Sequence, residues 1–243
     1  ERDITVIERN AADSTFGWGV VFSDQTMAGF READAETHAA ILGAFRHWDD
    51  IDVFFKGRKI TSGGHGFAGI GRANLLSILQ QRARQLGVHL AFGCDVANPE
   101  ELAQACDLLV AADGINSVTR ESFANDFRPN LQTRKCRFIW LGTRKKLDAF
   151  TFAFRETEAG WFSLHAYRFD ADWSTFIVET PEPTWQRAGL DHLDAAASIA
   201  FCEDLFADLL DGERLISNAR HLRGSAVWLK FQRVLCERWH RGN

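Results

Sequence analysis

The sequence predicts a chain of the α+β class, with an α/β region first and an antiparallel β-sheet after it. Two observations carry this prediction. Residues 1–130 alternate short apolar strand patterns with helical patterns, which is typical of a parallel sheet covered by helices. Residues 131–236 hold successive strand patterns with few helical patterns between them, which indicates antiparallel pairing. We therefore expect two domains, 1–130 and 131–236, with residues 237–243 starting a return to the first domain.

The first domain is predicted to begin with a strand and to continue with alternating elements. Strands are expected at 4–8, 51–55, 59–61, 88–92 and 108–112, and helices at 33–48, 72–86 and 100–106. The short strands at 51–55 and 59–61 are expected to pair with each other. Gly87 is placed to end the helix that starts at Arg72, because glycine readily adopts the left-handed conformation of a C-terminal cap. The run 108–112 is apolar at every position, which predicts a strand buried on both faces. The apolar residues before Glu8 predict a buried first strand as well.

The second domain is predicted to be a sheet with one long helical segment. Its strands are expected at 137–143, 150–155, 161–169 and 174–179, with a helix at 195–210 and a return strand at 226–230. Phe150, Phe152 and Phe154 alternate along the second strand, so their rings should share one face of the sheet. Aromatic residues are dense between 138 and 185, which fits either a phenylalanine-rich core or a large apolar cavity.

Composition excludes several classes of function. Hydrophobic residues make up 46% and charged residues 25% of the chain, which is ordinary globular composition. The net charge of -5 gives no basic surface for nucleic acid, and no apolar run approaches the roughly 20 residues of a membrane helix. The five cysteines have no CxxC spacing and the eight histidines have no metal-ligand spacing. We expect a cytoplasmic protein with reduced thiols and no nucleic-acid, membrane or metal partner.

Three short motifs contain residues suited to a nucleotide cofactor. Glu8 follows an apolar strand, where a βαβ unit uses a carboxylate to hold ribose hydroxyls, although a surface acid would look the same. Asp113 and Gly114 follow another apolar run and precede Arg120; the glycine admits close backbone approach, while a generic turn is the alternative. Arg72 at the start of a helix suits a phosphate through its charge, its paired donors and the helix dipole, with an exposed surface arginine as the alternative.

Together these motifs resemble the FAD-dependent aromatic hydroxylases, the group A flavoprotein monooxygenases. The resemblance covers essentially the whole chain and includes FGWGVVFSD at 16–24, HWDD at 47–50, SGGHG at 62–66 and STFIVE at 174–179. It is narrowest to the salicylyl-CoA 5-hydroxylases and anthraniloyl-CoA monooxygenases, with the tryptophan-derivative hydroxylase of violacein assembly as a more distant relative. It implies a Rossmann-like FAD-binding domain and an antiparallel-sheet substrate domain, as in p-hydroxybenzoate-hydroxylase-like folds.

For the cofactor, the resemblance implies FAD, with NADH or NADPH as the co-substrate. The implied FAD contacts are Glu8, Arg9, Gly17, Gly19, Val20, Arg72, Asp113 and Gly114. The segment 17–20 would pass under the isoalloxazine ring, where glycines let the backbone approach a flat cofactor. The family's GxGxxG turn and its later Gly-Asp loop lie outside this sequence. We therefore expect the chain to be the middle section of such an enzyme, to bind FAD poorly or not at all, and to be inactive alone.

The implied reaction is hydroxylation of an aromatic ring by OH transfer from a flavin C4a-hydroperoxide formed with O₂. The implied substrate is an aryl-CoA thioester such as salicylyl-CoA or 2-aminobenzoyl-CoA. Histidine is the side chain best suited to accept a phenolic or anilinic proton, and His47 and His165 are the catalytic candidates. His65, Tyr167 and Trp140 are the candidates for substrate binding. For each histidine, a structural role is the alternative.

Three other functions stay open at this stage. The substrate would be a free indolic or tryptophan-derived metabolite if the thioester is not recognised. Six cations could meet CoA phosphates, although a charge run is usually a solvated face: Arg128, Arg134, Lys135, Arg144, Lys145 and Lys146. A NAD-dependent dehydrogenase would need a hydride-transfer site, for which the second domain offers no candidate. A non-catalytic FAD-binding or ligand-binding module is the remaining alternative.

Overall fold

The computed structural model of the protein describes residues 2–15, 17–217 and 228–242. The strands in chain order are β1 (Thr5–Glu8), β2 (Gly19–Ser23), β3 (Arg46–Trp48), β4 (Ile51–Phe55), β5 (Arg58–Ser62), β6 (Phe67–Gly71), β7 (His89–Phe92), β8 (Pro129–Thr143), β9 (Phe150–Thr157), β10 (Gly160–Arg168), β11 (Ser174–Pro181), β12 (Leu215–Ile216) and β13 (Leu229–Cys236). The helices are α1 (Asp24–Ala33), α2 (Ala35–Ala44), α3 (Arg72–Gln85), α4 (Pro99–Gln104), α5 (Val118–Ser122), α6 (Ala124–Phe127), α7 (Glu182–Arg187), α8 (Ala195–Leu205) and α9 (Ala207–Leu210). No helix in these described ranges is long and apolar enough to cross a membrane.

Contacts divide the chain into two compact units that interleave along the sequence. The first unit contains Glu1–Ala12, Gly87–Lys135 and Lys230–Asn243, and the second contains Asp13–Leu86 and Cys136–Leu229. Residues 13–86 therefore group with the antiparallel sheet, whereas the linear division at residue 130 placed them with the N-terminal elements. The assignment of cofactor and substrate roles to the two predicted domains stays a prediction.

The first unit contains a parallel pair of strands, β1 and β7, in which Glu8 lies opposite Phe92. Both strands were predicted, and their parallel pairing agrees with the parallel sheet expected in this region. The predicted burial of β1 is wrong, because Val6 and Ile7 are 46% and 38% exposed. Within the described part of the chain this sheet has two strands only, so it offers little surface to cover the apolar side chains of β1.

The apolar run 108–112 does not form the predicted strand. Leu108 and Val110 are 69% and 77% exposed, and the run pairs with no strand of the described residues. A continuous apolar pattern predicts a strand only where neighbouring strands and covering layers receive it on both sides. The helix predicted just before it is confirmed with shifted bounds. It begins at Pro99, where Asn98 Oδ1 accepts hydrogen bonds from two backbone nitrogens of the first turn.

The second unit contains a large sheet in the order β12-β8-β11-β10-β9-β4-β5, to which β8 contributes its residues from Cys136 onward. Strands β8, β11, β10 and β9 pair antiparallel, as predicted, and β4 joins β9 in parallel. The predicted pairing of β4 with β5 is confirmed, and this hairpin extends the antiparallel sheet. Residues 226 and 227 of the predicted return strand lie outside the described residues.

The two faces of this sheet differ in chemistry. One face, here called the helix face, packs against α8 and α9 through fully buried residues that include Leu141, Ala153, Phe162, Leu164, Val178 and Phe206. Side chains alternate between faces along each strand, so the intervening residues point the other way. The opposite face, here called the aromatic face, carries Trp140, Phe150, Phe152, Phe154, His165, Tyr167 and Ile177. The predicted sharing of one face by Phe150, Phe152 and Phe154 is confirmed, and it is the half-buried face.

The helix predicted at 33–48 is confirmed over 35–44 as α2, although both of its predicted ends are wrong. Asp34 separates α2 from α1. Asp34 has extended backbone angles, and its carboxylate accepts a hydrogen bond from the Thr37 nitrogen at 3.1 Å, which starts α2. The Arg82 guanidinium of α3 donates two further bonds to Asp34 at 2.8 and 2.9 Å. The Arg82 bonds, together with those from Thr37, hold the pKa of the Asp34 carboxyl well below its usual range. Residues 46–48 leave the helix and form β3.

A three-stranded antiparallel sheet, β2-β6-β3, lies in the second unit and leads into α3. Strand β6 falls in the glycine-rich stretch, where the sequence predicted no strand. The helix α3 begins at Arg72 as predicted, and Gly87 follows its C-terminal cap with a φ of +80°. The helix predicted at 195–210 is confirmed as α8 and α9, with a break at the buried Phe206.

We expect Phe162→Ala to lower the free energy of unfolding by about 3–5 kcal/mol, because Phe162 is fully buried in the core of the helix face and its loss leaves a cavity. Denaturant unfolding of the purified chain measures this change. Ile60→Thr, at a position 60% exposed on β5, is the matched control and should change stability by less than about 0.5 kcal/mol. Equal losses for the two variants would contradict the placement of the core.

Candidate active site

The first unit holds the predicted ribose-binding acid at the carboxyl end of β1. Glu8 Oε1 accepts hydrogen bonds from the Asn10 backbone nitrogen at 2.7 Å and from Asn10 Nδ2 at 2.6 Å. These bonds fix the direction of the carboxylate just past the strand end, where a βαβ unit places the acid that meets a ribose. Arg9, the neighbouring predicted contact, is exposed. The position of Glu8 agrees with the predicted role, which stays a prediction.

The Asp113-Gly114 motif forms an ordered loop of the first unit. Asp113 Oδ2 accepts a hydrogen bond from the Thr119 nitrogen at 3.0 Å, and Arg120 Nη1 donates to the Gly114 carbonyl at 3.2 Å. Partial burial raises the pKa of the Asp113 carboxyl, but hydrogen bonds from Ser117 and Thr119 outweigh burial, so the net pKa is lowered. Asp113 is therefore ionised at neutral pH. Gly114 has a φ of +78° and no atom within 4 Å of where a Cβ would stand, which leaves room for another molecule to approach.

The second unit holds the glycine segment 17–20, which is fixed to the aromatic face by two buried hydrogen bonds. Tyr167 Oη donates to the Gly19 carbonyl at 2.9 Å, and the Gly19 nitrogen donates to Thr175 Oγ1 at 3.2 Å. Burial raises the pKa of the Tyr167 hydroxyl, although a hydrogen bond with Thr175 and the charge of Arg72 act against that rise, so the hydroxyl stays a donor. The hydroxyl of Tyr167, a predicted substrate residue, is thus hydrogen-bonded to the protein backbone. Its ring stacks on Phe150, with the ring centroids 5.3 Å apart.

Aromatic packing within the protein explains why glycine is needed at 17 and 19. A Cβ on Gly19 would stand 2.5 Å from the Phe169 side chain, and a Cβ on Gly17 would stand 2.7 Å from the Trp140 ring. Internal packing is thus one reason for glycine at these positions. Their predicted contact with a flat cofactor stays a prediction. Val20 continues the segment in β2, opposite Ile70. Phe16, the first residue of the motif, lies outside the described residues.

Arg72 lies at the first position of α3, and its backbone nitrogen donates to the Trp18 carbonyl at 2.9 Å. The Arg72 guanidinium lies 4.9 Å from the centre of the Trp140 ring. The contact is a cation–π pair, and it places Trp140 beside residues predicted to bind the cofactor. The substrate role of Trp140 stays a prediction.

The residues around Arg72 fit an acceptor-rich ligand such as the FAD diphosphate. Arg72 Nε, Trp140 Nε1 and Trp18 Nε1 are buried, and none has a hydrogen-bond partner among the described residues. A buried donor without an acceptor costs about 1–3 kcal/mol, so a bound anion that supplied acceptors would remove this cost. Other tryptophan side-chain nitrogens are also buried without a hydrogen-bond partner among the described residues, so a tryptophan nitrogen alone does not indicate an anion. Arg72 differs from them because it also carries a positive charge.

His165 lies at the centre of the aromatic face on β10. Its neighbours across the sheet are Phe152 on β9 and Ile177 on β11, and the Phe152 ring meets the imidazole edge to face at 6.4 Å. Burial lowers the pKa of the His165 imidazole, because the charged form is poorly solvated between apolar side chains. At neutral pH His165 is therefore uncharged and can accept a proton.

His47 and His65 occupy different surroundings from His165. His47 is exposed on β3 and points to the side opposite Trp48, whose ring stacks with Tyr167 at 6.2 Å. The structure therefore does not bring the two predicted catalytic histidines together. His65 is exposed, lies 2.8 Å from Ser62 Oγ through its Nε2, and stacks on Phe67 at 6.1 Å.

Glu179 is an ionisable residue of the aromatic face that the sequence analysis did not select. It lies on β11 opposite Phe138 and Ser163, two residue pairs along the sheet from His165 and on the same face. Burial raises the pKa of the Glu179 carboxyl. Side chains two residues apart on a strand share a face, so the position of Ile177 also places Glu179 on the aromatic face. The sequence alone did not show that this face carries the site.

The predicted CoA-facing cations are partly neutralised in the structure. Lys145 pairs with Asp211 at 3.1 Å, Lys146 with Asp172 at 3.6 Å and Arg128 with Glu237 at 3.2 Å. A cation already paired with a carboxylate attracts a phosphate less strongly than a free one. Half of the six cations therefore give little support for a thioester site.

The sequence is related over its whole length to aromatic monooxygenases, while no family model matches it. It is 40% identical to a salicyloyl-CoA 5-hydroxylase from a Streptomyces species, over 100% of this chain and 47% of the relative. It is 30% identical to a 3-hydroxy-4-methyl-anthranilyl-(aryl-carrier protein) 5-monooxygenase of Streptosporangium sibiricum, over 99% of this chain and 62% of the relative. It is 27% identical to a protodeoxyviolaceinate monooxygenase of Chromobacterium violaceum, over 98% and 63% respectively. The chain thus spans about half to two thirds of these relatives.

Solved structures give the same fold. A 2-methyl-3-hydroxypyridine-5-carboxylic acid oxygenase matches 99% of this chain and 66% of its own with a TM-score of 0.73 at 14% identity. A probable FAD-dependent monooxygenase from Pseudomonas aeruginosa matches 93% of this chain and 65% of its own with a TM-score of 0.61 at 13% identity. The predicted fold is confirmed as that of the FAD-dependent monooxygenases of the p-hydroxybenzoate-hydroxylase type. By sequence, the chain is a homologue of aromatic-ring monooxygenases, among them the salicyloyl-CoA 5-hydroxylase.

We expect Arg72→Ala in the full-length protein to weaken FAD binding about tenfold or more, because a charge-assisted hydrogen bond to the cofactor contributes about 1.5–3 kcal/mol. The measurement is the ratio of FAD to protein after gel filtration, together with the fluorescence of released flavin. Arg84→Ala removes an exposed arginine from the last turn of the same helix and should leave the ratio unchanged. Full retention of FAD in the Arg72 variant would rule out the diphosphate role.

Proposed function

We propose that the full-length protein hydroxylates the aromatic ring of an aryl-CoA thioester, salicyloyl-CoA or 2-aminobenzoyl-CoA, with FAD, O₂ and NADH or NADPH. The observation that carries this proposal is the half-buried aromatic face with a neutral histidine at its centre, in a chain 40% identical over its whole length to a salicyloyl-CoA 5-hydroxylase. The carrier-protein-linked substrate named for the second relative supports a thioester in general.

The aromatic face supplies the binding surface for the substrate ring. Phe150 and Phe152 lie 4.8 Å apart, and Phe150 also contacts Phe67 at 5.8 Å. Aromatic rings pack against one another in offset or edge-to-face geometry, so a substrate ring would gain both apolar burial and ring contacts here. Such a surface also excludes water from the reacting carbon.

His165 is proposed to accept the phenolic or anilinic proton of the bound ring. Its surroundings keep the imidazole neutral, so a ring nitrogen is free to accept at neutral pH. Loss of the proton increases the electron density of the aromatic ring and favours attack by an electrophilic oxygen. Glu179, half-buried on the same face, is proposed to accept a hydrogen bond from a ring substituent or from the thioester arm.

Four residues are proposed to contact FAD, each through its own chemistry. Glu8 would bind the ribose, Arg72 the diphosphate, and Asp113 with Gly114 would lie along the backbone of the dinucleotide. When bound, FAD supplies the redox chemistry that delivers one atom of O₂ to the ring. The chain's own contribution is to position the ring, exclude water and move one proton.

A free indolic substrate is the second candidate, and the 27% identity to the protodeoxyviolaceinate monooxygenase favours it. The aromatic face suits an indole as well as a benzene ring, because its contacts are apolar. The greater identity to the salicyloyl-CoA enzyme supports the thioester over the free indole as the first candidate.

We expect His165→Gln to lower the hydroxylation rate about 10²- to 10⁴-fold in the full-length enzyme, the usual range for loss of a general base. The neutral imidazole is the active form, and its pKa is lowered from 6.5, so the wild-type rate should fall as pH drops through a value below 6.5. The variant should lack that acid limb. Rates of product formation from pH 5 to 8 test this.

The control for that experiment is His192→Gln, because the His192 side chain is 83% exposed outside the aromatic face. It should keep both the rate and the pH profile. His47→Gln tests the other predicted catalytic histidine in the same series. An acid limb that persists in the His165 variant would refute the proton-acceptor role.

We expect salicyloyl-CoA to be hydroxylated by the full-length protein with incorporation of one ¹⁸O atom from ¹⁸O₂, and free salicylate to be hydroxylated at least about tenfold less efficiently. Substrate-dependent acceleration of flavin reduction and mass spectrometry of the product provide the measurements. A tryptophan-derived indole is the third substrate of the series. Equal responses to thioester and free acid would reject the thioester preference, and the absence of a flavin absorption band would reject the enzyme class.

A further inference from the structure

A cluster of cations and exposed aromatic rings lies at the tip of the β4–β5 hairpin, on the aromatic face. The rings of Phe55 and Trp161 stack with centroids 5.8 Å apart and an interplanar angle of 17°. They are 43% and 37% exposed, which is unusual for rings of this size. Lys56 Nζ lies 5.6 Å from the Phe55 ring and 6.0 Å from the Trp161 ring. We call Phe55, Lys56, Arg58 and Trp161 the hairpin platform.

The hairpin turn holds the platform in place. Lys56 and Gly57 form a two-residue connection with φ angles of +49° and +74°, which is the left-handed geometry of a tight β-hairpin turn. Phe55 and Arg58 are directly paired across that turn. Lys59, one residue further, points to the opposite side of the hairpin, where it pairs with Asp52 at 2.8 Å. The platform cations therefore face the aromatic face and not the helix face.

The aromatic face runs continuously from His165 to the platform. Residues 161, 163, 165 and 167 of β10 share that face because side chains alternate along a strand. The distance from His165 to Trp161 along β10 is roughly 13 Å, at about 3.3 Å per residue. Ser163 and Glu179 lie opposite one another between these two points and supply polar atoms. A substrate with its ring at His165 could therefore extend along a partly polar stretch of this face to the hairpin platform.

We propose that the hairpin platform binds the nucleotide end of the CoA thioester, with the adenine stacked on Trp161 and the phosphates near Lys56 and Arg58. This inference rests on the proposed function, because it takes the aryl ring to lie at His165. The pantetheine arm is an extended chain with amide groups, and Ser163 and Glu179 provide hydrogen-bonding partners along its course. Exposed aromatic rings beside cations are the usual means of binding a base together with phosphates.

Glu156 is the opposing charge at this site. It lies on the aromatic face directly across from Trp161 on β9. A carboxylate there repels phosphate, so its removal should strengthen CoA binding while removal of Lys56 should weaken it. These changes of opposite sign separate an electrostatic site from a loss of folding, which would weaken binding in every variant.

The test compares two substrates of the full-length enzyme, salicyloyl-CoA and the truncated thioester salicyloyl-N-acetylcysteamine. We expect Trp161→Ala and Lys56→Ala each to raise the KM for the CoA thioester about five- to tenfold, as expected for loss of one stacked base or one phosphate contact. Glu156→Gln should lower that KM. All three variants should leave kcat and the KM for the truncated thioester unchanged.

Lys59→Ala is the matched control, because it removes a lysine from the same hairpin but from its other side. It should leave the KM for both thioesters unchanged. The proposal is overturned if the platform variants affect both thioesters equally, or if they affect neither. Failure of the proposed function is a different result, since the wild-type enzyme would then hydroxylate neither thioester.

Discussion

Gly19 is the residue through which the predicted cofactor segment and the predicted substrate surface of the second unit are joined. Its carbonyl accepts the Tyr167 hydroxyl and its nitrogen donates to Thr175, so both polar groups of one residue are tied to the aromatic face. The Phe169 side chain fills the space where a Cβ would stand. Because the Arg72 nitrogen bonds to the neighbouring Trp18 carbonyl, the same arrangement fixes the start of α3. The positions of the guanidinium and of the aromatic face therefore depend on each other.

The two faces of the sheet in the second unit have different roles. The helix face provides stability through a continuous apolar core, which leaves the aromatic face free to be only half-buried. On that face the chemistry changes along β10, from the bound hydroxyl of Tyr167 through the neutral imidazole of His165 to the exposed ring of Trp161. The proposed aryl-CoA substrate requires an apolar surface for its ring, a proton acceptor beside that ring and cations for its phosphates. The aromatic face carries candidates for all three.

Structural features that depend on neighbouring residues in the sequence were predictable. Features that depend on contacts with residues distant in the sequence were not. Alternation located the strands of the antiparallel sheet and the shared face of Phe150 and Phe152, because side-chain direction follows from the strand itself. The run 108–112 failed because strand formation needs neighbouring strands. The predicted start of the helix at 33–48 was wrong because Asp34, which binds Arg82 far along the sequence, is extended and caps α2. Trp140 and Glu179 could not be placed without the register that pairs β8, β11 and β10.

A crystal structure of the full-length protein with salicyloyl-CoA or its unreactive thioether analogue would test the proposed substrate surface most directly. We expect the aryl ring to lie against Phe152 and Phe150, with its hydroxyl within hydrogen-bonding distance of the His165 imidazole. A ring bound on the helix face, or at any site away from His165, would contradict the central claim that the aromatic face of the sheet is the substrate surface.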